Sequence, residues 1–166
     1  MAELTNRERL QPSLLERLTD DEPGNPRESR EQRVLSVKKL KDSVLRDLEW
    51  LLNTEFLANS TDLTDYPHVA CSVLNYGRPP LSGKVSSSIP LNQLKEQFRQ
   101  AILQFEPRIL PDSLVVRAAY RDEGRAGNRL EFEIQGQLWA QPLPLSLFLR
   151  TEVDMDSGTI GVYEES

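Results

Sequence analysis

Leu130-Glu131-Phe132-Glu133-Ile134-Gln135-Gly136-Gln137-Leu138-Trp139 sets Leu130, Phe132, Ile134, Gly136 and Leu138 in alternation with Glu131, Glu133, Gln135, Gln137 and Trp139. A period of two sends successive side chains to opposite faces of a strand. Leu145, Leu147, Leu149, Thr151 and Val153 repeat the pattern against Ser146, Phe148, Arg150, Glu152 and Asp154. Leu114 to Tyr120 and Thr159 to Glu164 read as two further short strands. The intervening stretches Gly124-Arg125-Ala126-Gly127-Asn128, Gln141-Pro142 and Asp156-Ser157-Gly158 carry turn chemistry. Strands in series joined by turns predict an antiparallel meander with one dry and one wet face.

Upstream the period changes. Val34, Val37, Leu40, Val44, Leu48 and Leu51 recur at steps of three and four, with Leu45, Leu52 and Phe56 widening the stripe. This predicts an amphipathic helix over about 28–56, its charged residues Lys38, Lys39, Lys41, Asp42, Arg46, Asp47 and Glu49 facing water. Residues 57–88 read mainly as loop. They include a short helix over His68 to Leu74 and Gly77 suited to a left-handed position after it. A second amphipathic helix starts near Ile89-Pro90 behind the N-cap candidate Ser88, with Leu91, Leu94, Phe98, Ile102 and Phe105 as its stripe. Pro107 stops it, because the residue before a proline is pushed out of helical geometry. The expected fold class is α+β. Two main amphipathic helices pack on one face of the C-terminal antiparallel β-meander, which also carries a tethered N-terminal helical segment.

That segment is Leu10, Leu14, Leu15 and Leu18, an apolar stripe at helical spacing, followed by the break Asp20-Asp21-Glu22-Pro23-Gly24-Asn25-Pro26. A short helix on such a tether does not fold alone. Either it packs back on its own domain or it docks in a partner's groove. The domain division is therefore 1–27 for this segment and its linker, and 28–166 for the α+β domain.

At 166 residues, with 26 acidic and 20 basic side chains and a net charge of −6, the chain fits one domain and lacks the basic footprint of a nucleic-acid binder. No apolar run approaches the roughly 20 residues that span a bilayer, and the first residues lack the apolar stretch of a signal peptide. One cysteine, Cys71, excludes an internal disulfide and fits a reducing cytoplasm. With His68 as the single histidine, no Cys/His metal cluster is available, and no cofactor or metal is expected. The acidic residues fall on helix faces, polar strand faces and linkers. Ser86-Ser87-Ser88 has no nucleophile-elbow pattern, and Gly124 and Gly127 sit in a hairpin rather than between a strand and a helix. No catalytic set converges, so no enzyme is expected.

Phe105-Glu106-Pro107-Arg108-Ile109 stands apart, with an acid and an arginine on either side of a rigid proline at a helix exit. One reading is a helix stop with a surface ion pair, worth little if exposed. The other is that proline fixes two charged arms for bidentate contacts with a partner.

Glu106-Pro107-Arg108 resembles the Glu-Pro-Arg signature of the phage baseplate wedge family, whose members initiate a contractile sheath. Three more segments resemble its TssE branch, found in bacterial type VI secretion systems. They are Arg9 to Leu18 (RLQPSLLERL), Val44 to Thr54 (VLRDLEWLLNT) and Ser72 to Gly77 (SVLNYG), in the expected order. Arg78-Pro79-Pro80 departs from the family pattern in a loop. The resemblance implies a non-catalytic cytoplasmic subunit of a hetero-oligomeric baseplate, bound to TssF and TssG and contacting the first ring of the TssB–TssC sheath. It implies partner-binding roles for Glu106, Pro107 and Arg108; the leucine stripe Leu10, Leu14, Leu15 and Leu18 is added as a docking candidate from its own pattern. Family members are often labelled lysozyme-related, an activity for which the chain offers no site. The alternative is a stand-alone regulatory adaptor on the same fold.

Overall fold

The meander is present and is built in chain order. In a computed structural model that describes residues 14–19, 23–24, 37–81, 91–120, 129–140 and 144–165, strands β1 (Val115–Tyr120), β2 (Arg129–Leu138), β3 (Leu145–Asp154) and β4 (Ile160–Glu164) form one sheet of order β1-β2-β3-β4. Every pairing is antiparallel. Val116 lies opposite Ile134 and Ile134 opposite Leu149, while Leu130 faces Val153 and Val153 faces Ile160. These side chains share one face and are buried. The polar member of that face, Thr151, donates its hydroxyl to the Phe132 carbonyl at 3.2 Å, so its burial leaves no lone donor. The other face carries the charged partners, Arg150 among them, which pairs with Glu131.

Two helices cover the dry face. Helix α2 (Val37–Asn53), which follows the short α1 (Leu14–Leu18), buries Leu40, Val44, Leu48, Leu51 and Leu52. A short helix α3 (Pro67–Ala70) intervenes before α4 (Leu91–Phe105), which buries Leu94, Phe98, Ala101 and Ile102. Helix α2 packs beside β4 and α4 beside β1. The Phe98 ring sits 4.9 Å from that of Phe132, tilted by 46°, and joins α4 to the middle of the sheet. Each leucine or phenylalanine so buried is worth roughly 1.5–3 kcal/mol relative to exposure. The α+β arrangement expected from the two periodicities is the one observed.

Boundaries differ in instructive ways. Helix α2 ends at Asn53 rather than near Phe56; the expected start over 28–36, the boundary between residues 27 and 28 and the candidate cap Ser88 lie outside the described residues. The chain leaves the helix because its next residues pair with 77–78. Arg78 N–H donates to the Thr54 carbonyl at 2.8 Å, and Phe56 N–H donates to the Arg78 carbonyl at 3.1 Å. This approach requires glycine beside it. Gly77 has φ of 127°, and a Cβ there would stand 2.4 Å from the Thr54 oxygen.

Arg78 then turns inward and is 3% exposed. Its Nε donates to the Leu52 carbonyl, its Nη1 to the Pro79 carbonyl at 2.8 Å and its Nη2 to the Gly158 carbonyl at 2.6 Å. One guanidinium therefore satisfies an orphan carbonyl in the last turn of α2 and ties it to the β3–β4 turn. Burial holds its pKa below the ordinary arginine value, and the charge of Glu55 offsets only part of that. In the sequence this residue reads as a loop departure; in the fold it is a buried staple.

The helix expected over 68–74 splits into α3 and a 3-10 turn at Val73–Asn75. Ser72 causes the break. Its hydroxyl donates to the Val69 carbonyl at 2.9 Å and accepts from Leu74 N–H at 3.2 Å. The β3–β4 turn is closed by Asp154, whose carboxylate accepts from Asp156 N–H at 2.9 Å and Ser157 N–H at 3.1 Å. Those donors hold its pKa below the ordinary aspartate value.

Candidate functional site: a buried ion-pair clamp and an open sheet edge

Helix α4 stops at Phe105, and the next residue turns its side chain into the protein: Glu106 is 3% exposed. Arg108 meets it with a forked, two-point contact, Nε to Oε1 at 2.7 Å and Nη2 to Oε2 at 2.5 Å. The Arg108 backbone N–H also donates to Glu106 Oε1 at 3.1 Å. Pro107 between them is exposed and fixes the chain direction. The fork reaches further, to α2: Arg108 Nη1 donates to the Ser43 hydroxyl at 2.6 Å and Nη2 to Asp47 Oδ2 at 2.6 Å. Burial pulls the Arg108 pKa down, but the bonds to Glu106 and Asp47 outweigh it and hold the guanidinium above its ordinary value.

The same residue is also wired to the sheet. Its carbonyl accepts from Trp139 N–H at 2.7 Å, and Leu110 N–H donates to the Gln137 carbonyl at 2.8 Å. The stretch 108–110 thus extends the row of β1 along the end of β2. One tripeptide locks α4's exit, the middle of α2 and the edge of the sheet together. A surface ion pair would do little of this; here the carboxylate is desolvated and its countercharge is obligatory.

Around the clamp lies a partly exposed rim. Arg46 donates to Asp47 Oδ1 from Nε at 3.1 Å and from Nη2 at 3.0 Å, and its guanidinium lies 5.3 Å over the ring of half-exposed Trp50. Tyr76 donates its hydroxyl to the Asp47 carbonyl at 3.3 Å and packs edge-on against Phe105 at 5.2 Å. The helical pattern puts Asp47 and Arg46 on a solvated face and assigns Ser43 no role. The signal was present: Ser43 and Asp47 are one helical turn apart at the margin of the Val44–Leu48 stripe.

The second feature is the edge of β4. Asp154 N–H donates to the Thr159 carbonyl at 2.9 Å and Glu165 N–H to the Phe148 carbonyl at 2.9 Å. With the observed register, these two bonds fix the alternation. Residues 159, 161, 163 and 165 bond toward β3, whereas Ile160, Val162 and Glu164 turn their backbone groups outward. Exposure rises along the strand, from 3% at Ile160 to 55% at Tyr163.

The leucine stripe is only partly in view. Leu15 is 44% and Leu18 75% exposed on α1, whereas Leu10 and the Leu14 side chain lie outside the described residues. The structure does not bring these leucines to the clamp in any described contact. Cys71 and His68 are both exposed. Among the described residues, no group of His, Cys, Asp or Glu is arranged to hold a metal ion, and no helix is long and apolar enough to cross a membrane.

The clamp sets the relative positions of α4, α2 and the sheet, and the last strand of that sheet turns the backbone groups of Val162 and Glu164 outward. No curated protein and no solved structure matches the chain. The family model described as baseplate wedge protein gp25 matches residues 38–143, more than half of the 166-residue chain, from the first turn of α2 to the β2–β3 connection and through the whole clamp. The chain belongs to the gp25 family of baseplate wedge proteins, structural components of phage-tail-like baseplates.

Proposed function

We propose that this protein is the TssE subunit of a type VI secretion baseplate, working in the cytoplasm without catalysis. In this reading it joins the wedge formed with TssF and TssG and starts the TssB–TssC sheath by accepting a sheath strand on β4. The observation that carries it is the outward-facing backbone of Val162 and Glu164 on the last strand of a meander, the geometry that strand addition uses. Glu106, Pro107 and Arg108 serve the partner in two ways. Glu106 and Arg108 hold the helices and the sheet in one rigid relation, and exposed Pro107 with the rim of Arg108 meets the wedge. Preorganisation of this kind lowers the ordering cost of assembly.

Val162→Pro tests the strand. Its N–H faces outward, so proline there removes an edge donor while sparing the β3–β4 ladder. The variant is expected to fold, to keep its TssF and TssG partners in a pull-down, and to yield no sheaths by electron microscopy. Sheaths of normal number and length would rule strand addition on β4 out.

The N-terminal segment adds a second contact. Its leucine stripe, Leu10, Leu14, Leu15 and Leu18, docks on a baseplate neighbour, a reading supported by the exposure of Leu15 and Leu18. Deleting residues 1–27 is expected to weaken the wedge complex about tenfold or more, as loss of a short apolar helix would, while the thermal midpoint of the remaining domain moves by less than about 2 °C. An early melt of the shortened chain would instead make the segment part of the fold.

A further inference from the structure

The outward groups of β4 are not all open. Asn53, the last residue of α2, presents its side-chain amide to the edge at Ile160. Its Oδ1 accepts from Ile160 N–H at 2.9 Å and its Nδ2 donates to the Ile160 carbonyl at 2.8 Å. Exchanging both bonds with a single residue is what an opposing strand residue does in a hydrogen-bonded antiparallel pair. The side chain therefore stands where one residue of a fifth strand would stand. It is held there by a further bond from Nδ2 to the Glu49 carbonyl at 2.8 Å, and the strand's other end is tied to α2 by Lys41 and Glu164, 2.5 Å apart. Val162 and Glu164 have no such backbone partner among the described residues.

We propose that Asn53 is a register stop for strand addition on β4. By filling the pairing site at Ile160, it confines an incoming strand to Val162, Glu164 and the residues beyond. An antiparallel strand runs from the Glu164 end toward Ile160, so its last paired residue opposes Val162 and its chain leaves the sheet there. A one-residue slip of a strand turns every side chain to the other face, and slips are what open edges permit. A fixed stop removes that freedom from the first subunit laid down. The inference rests on the strand-addition reading for its partner, but the Asn53 contact can be measured without one.

The experiment is backbone amide hydrogen exchange by NMR on the full chain, alone and with the cognate TssB–TssC heterodimer. In the free protein, Asn53→Ala should speed exchange at Ile160 about tenfold, the loss expected of one net hydrogen bond. Asn53→Asp sets a carboxylate oxygen against the Ile160 and Glu49 carbonyls that Nδ2 donates to, so it should speed Ile160 exchange as Asn53→Ala does. On adding sheath heterodimer, Val162 and Glu164 should gain protection in the wild type with no further gain at Ile160, whereas in Asn53→Ala Ile160 should gain protection with them. Equal Ile160 exchange in wild type and Asn53→Ala, or a gain at Ile160 in the sheath-bound wild type, overturns the register stop alone. If sheath heterodimer binds and leaves Val162 and Glu164 unchanged, strand addition on β4 fails and the stop fails with it, even where Ile160 still depends on Asn53.

Discussion

Arg108→Met is expected to lower the unfolding free energy by about 3–5 kcal/mol, the cost of leaving a buried carboxylate without its countercharge. The magnitude follows from the environment of Glu106, which is 3% exposed and spends both oxygens on Arg108. Methionine keeps most of the aliphatic stem, so the loss is electrostatic rather than a cavity. Two controls separate the contributions. Asp47→Asn removes the more exposed carboxylate and should cost about 1 kcal/mol or less. Adding Glu106→Gln to the Arg108→Met variant neutralises the stranded charge and should recover part of the loss, giving a coupling energy of roughly 0.5–3 kcal/mol in a double-mutant cycle. Urea denaturation of wild type, Arg108→Met, Glu106→Gln, their double variant and Asp47→Asn measures all of this. A single-variant loss under about 1 kcal/mol would mean that water reaches Glu106 and that the clamp is an ordinary surface pair.

Arg78→Met should be comparably damaging, by about 3–5 kcal/mol, for a different reason. No carboxylate is stranded; instead the carbonyls of Leu52, Pro79 and Gly158 lose a charged donor. A hydrogen bond to a charged group is worth roughly 1.5–3 kcal/mol, and the three are not additive. Arg78→Lys should recover little, because a single ammonium on a flexible stem cannot reproduce a planar fork aimed at three separated oxygens. Thermal melts would show this as Lys resembling Met. A lysine variant as stable as wild type would show that one contact carries the staple.

What could be read in advance divides along the range of the interactions. The alternation of Leu130, Phe132 and Ile134 and the three-four spacing of Leu40, Val44 and Leu48 are local rules, and the sheet, the two helices and their shared core followed from them. The turn at Asp154 to Gly158 was legible for the same reason. The helix end was not: nothing near Thr54 breaks a helix, and what stops it is Gly77 and Arg78, more than twenty residues later. The Glu-Pro-Arg tripeptide could be singled out because its three members are adjacent, but its environment could not. Whether Glu106 is wet or dry depends on Ser43 and Asp47, more than fifty positions away. Asn53 illustrates the limit most sharply, since a polar residue at a helix end gives no hint that its amide meets a strand 107 positions on.

The meander order has a kinetic consequence. Each strand pairs with its neighbour in sequence, so the sheet can close hairpin by hairpin with small loops and little entropic cost. The contacts of α2 are of the opposite kind: Lys41 meets Glu164 across 123 positions. Long-range closures of this sort are paid late, after local structure has reduced the search. The domain should therefore fold from its sheet and α4 outward, with α2 settling against β4 last. The edge with its Asn53 stop would then be the final surface to mature, and substitutions there should speed unfolding more than they slow folding.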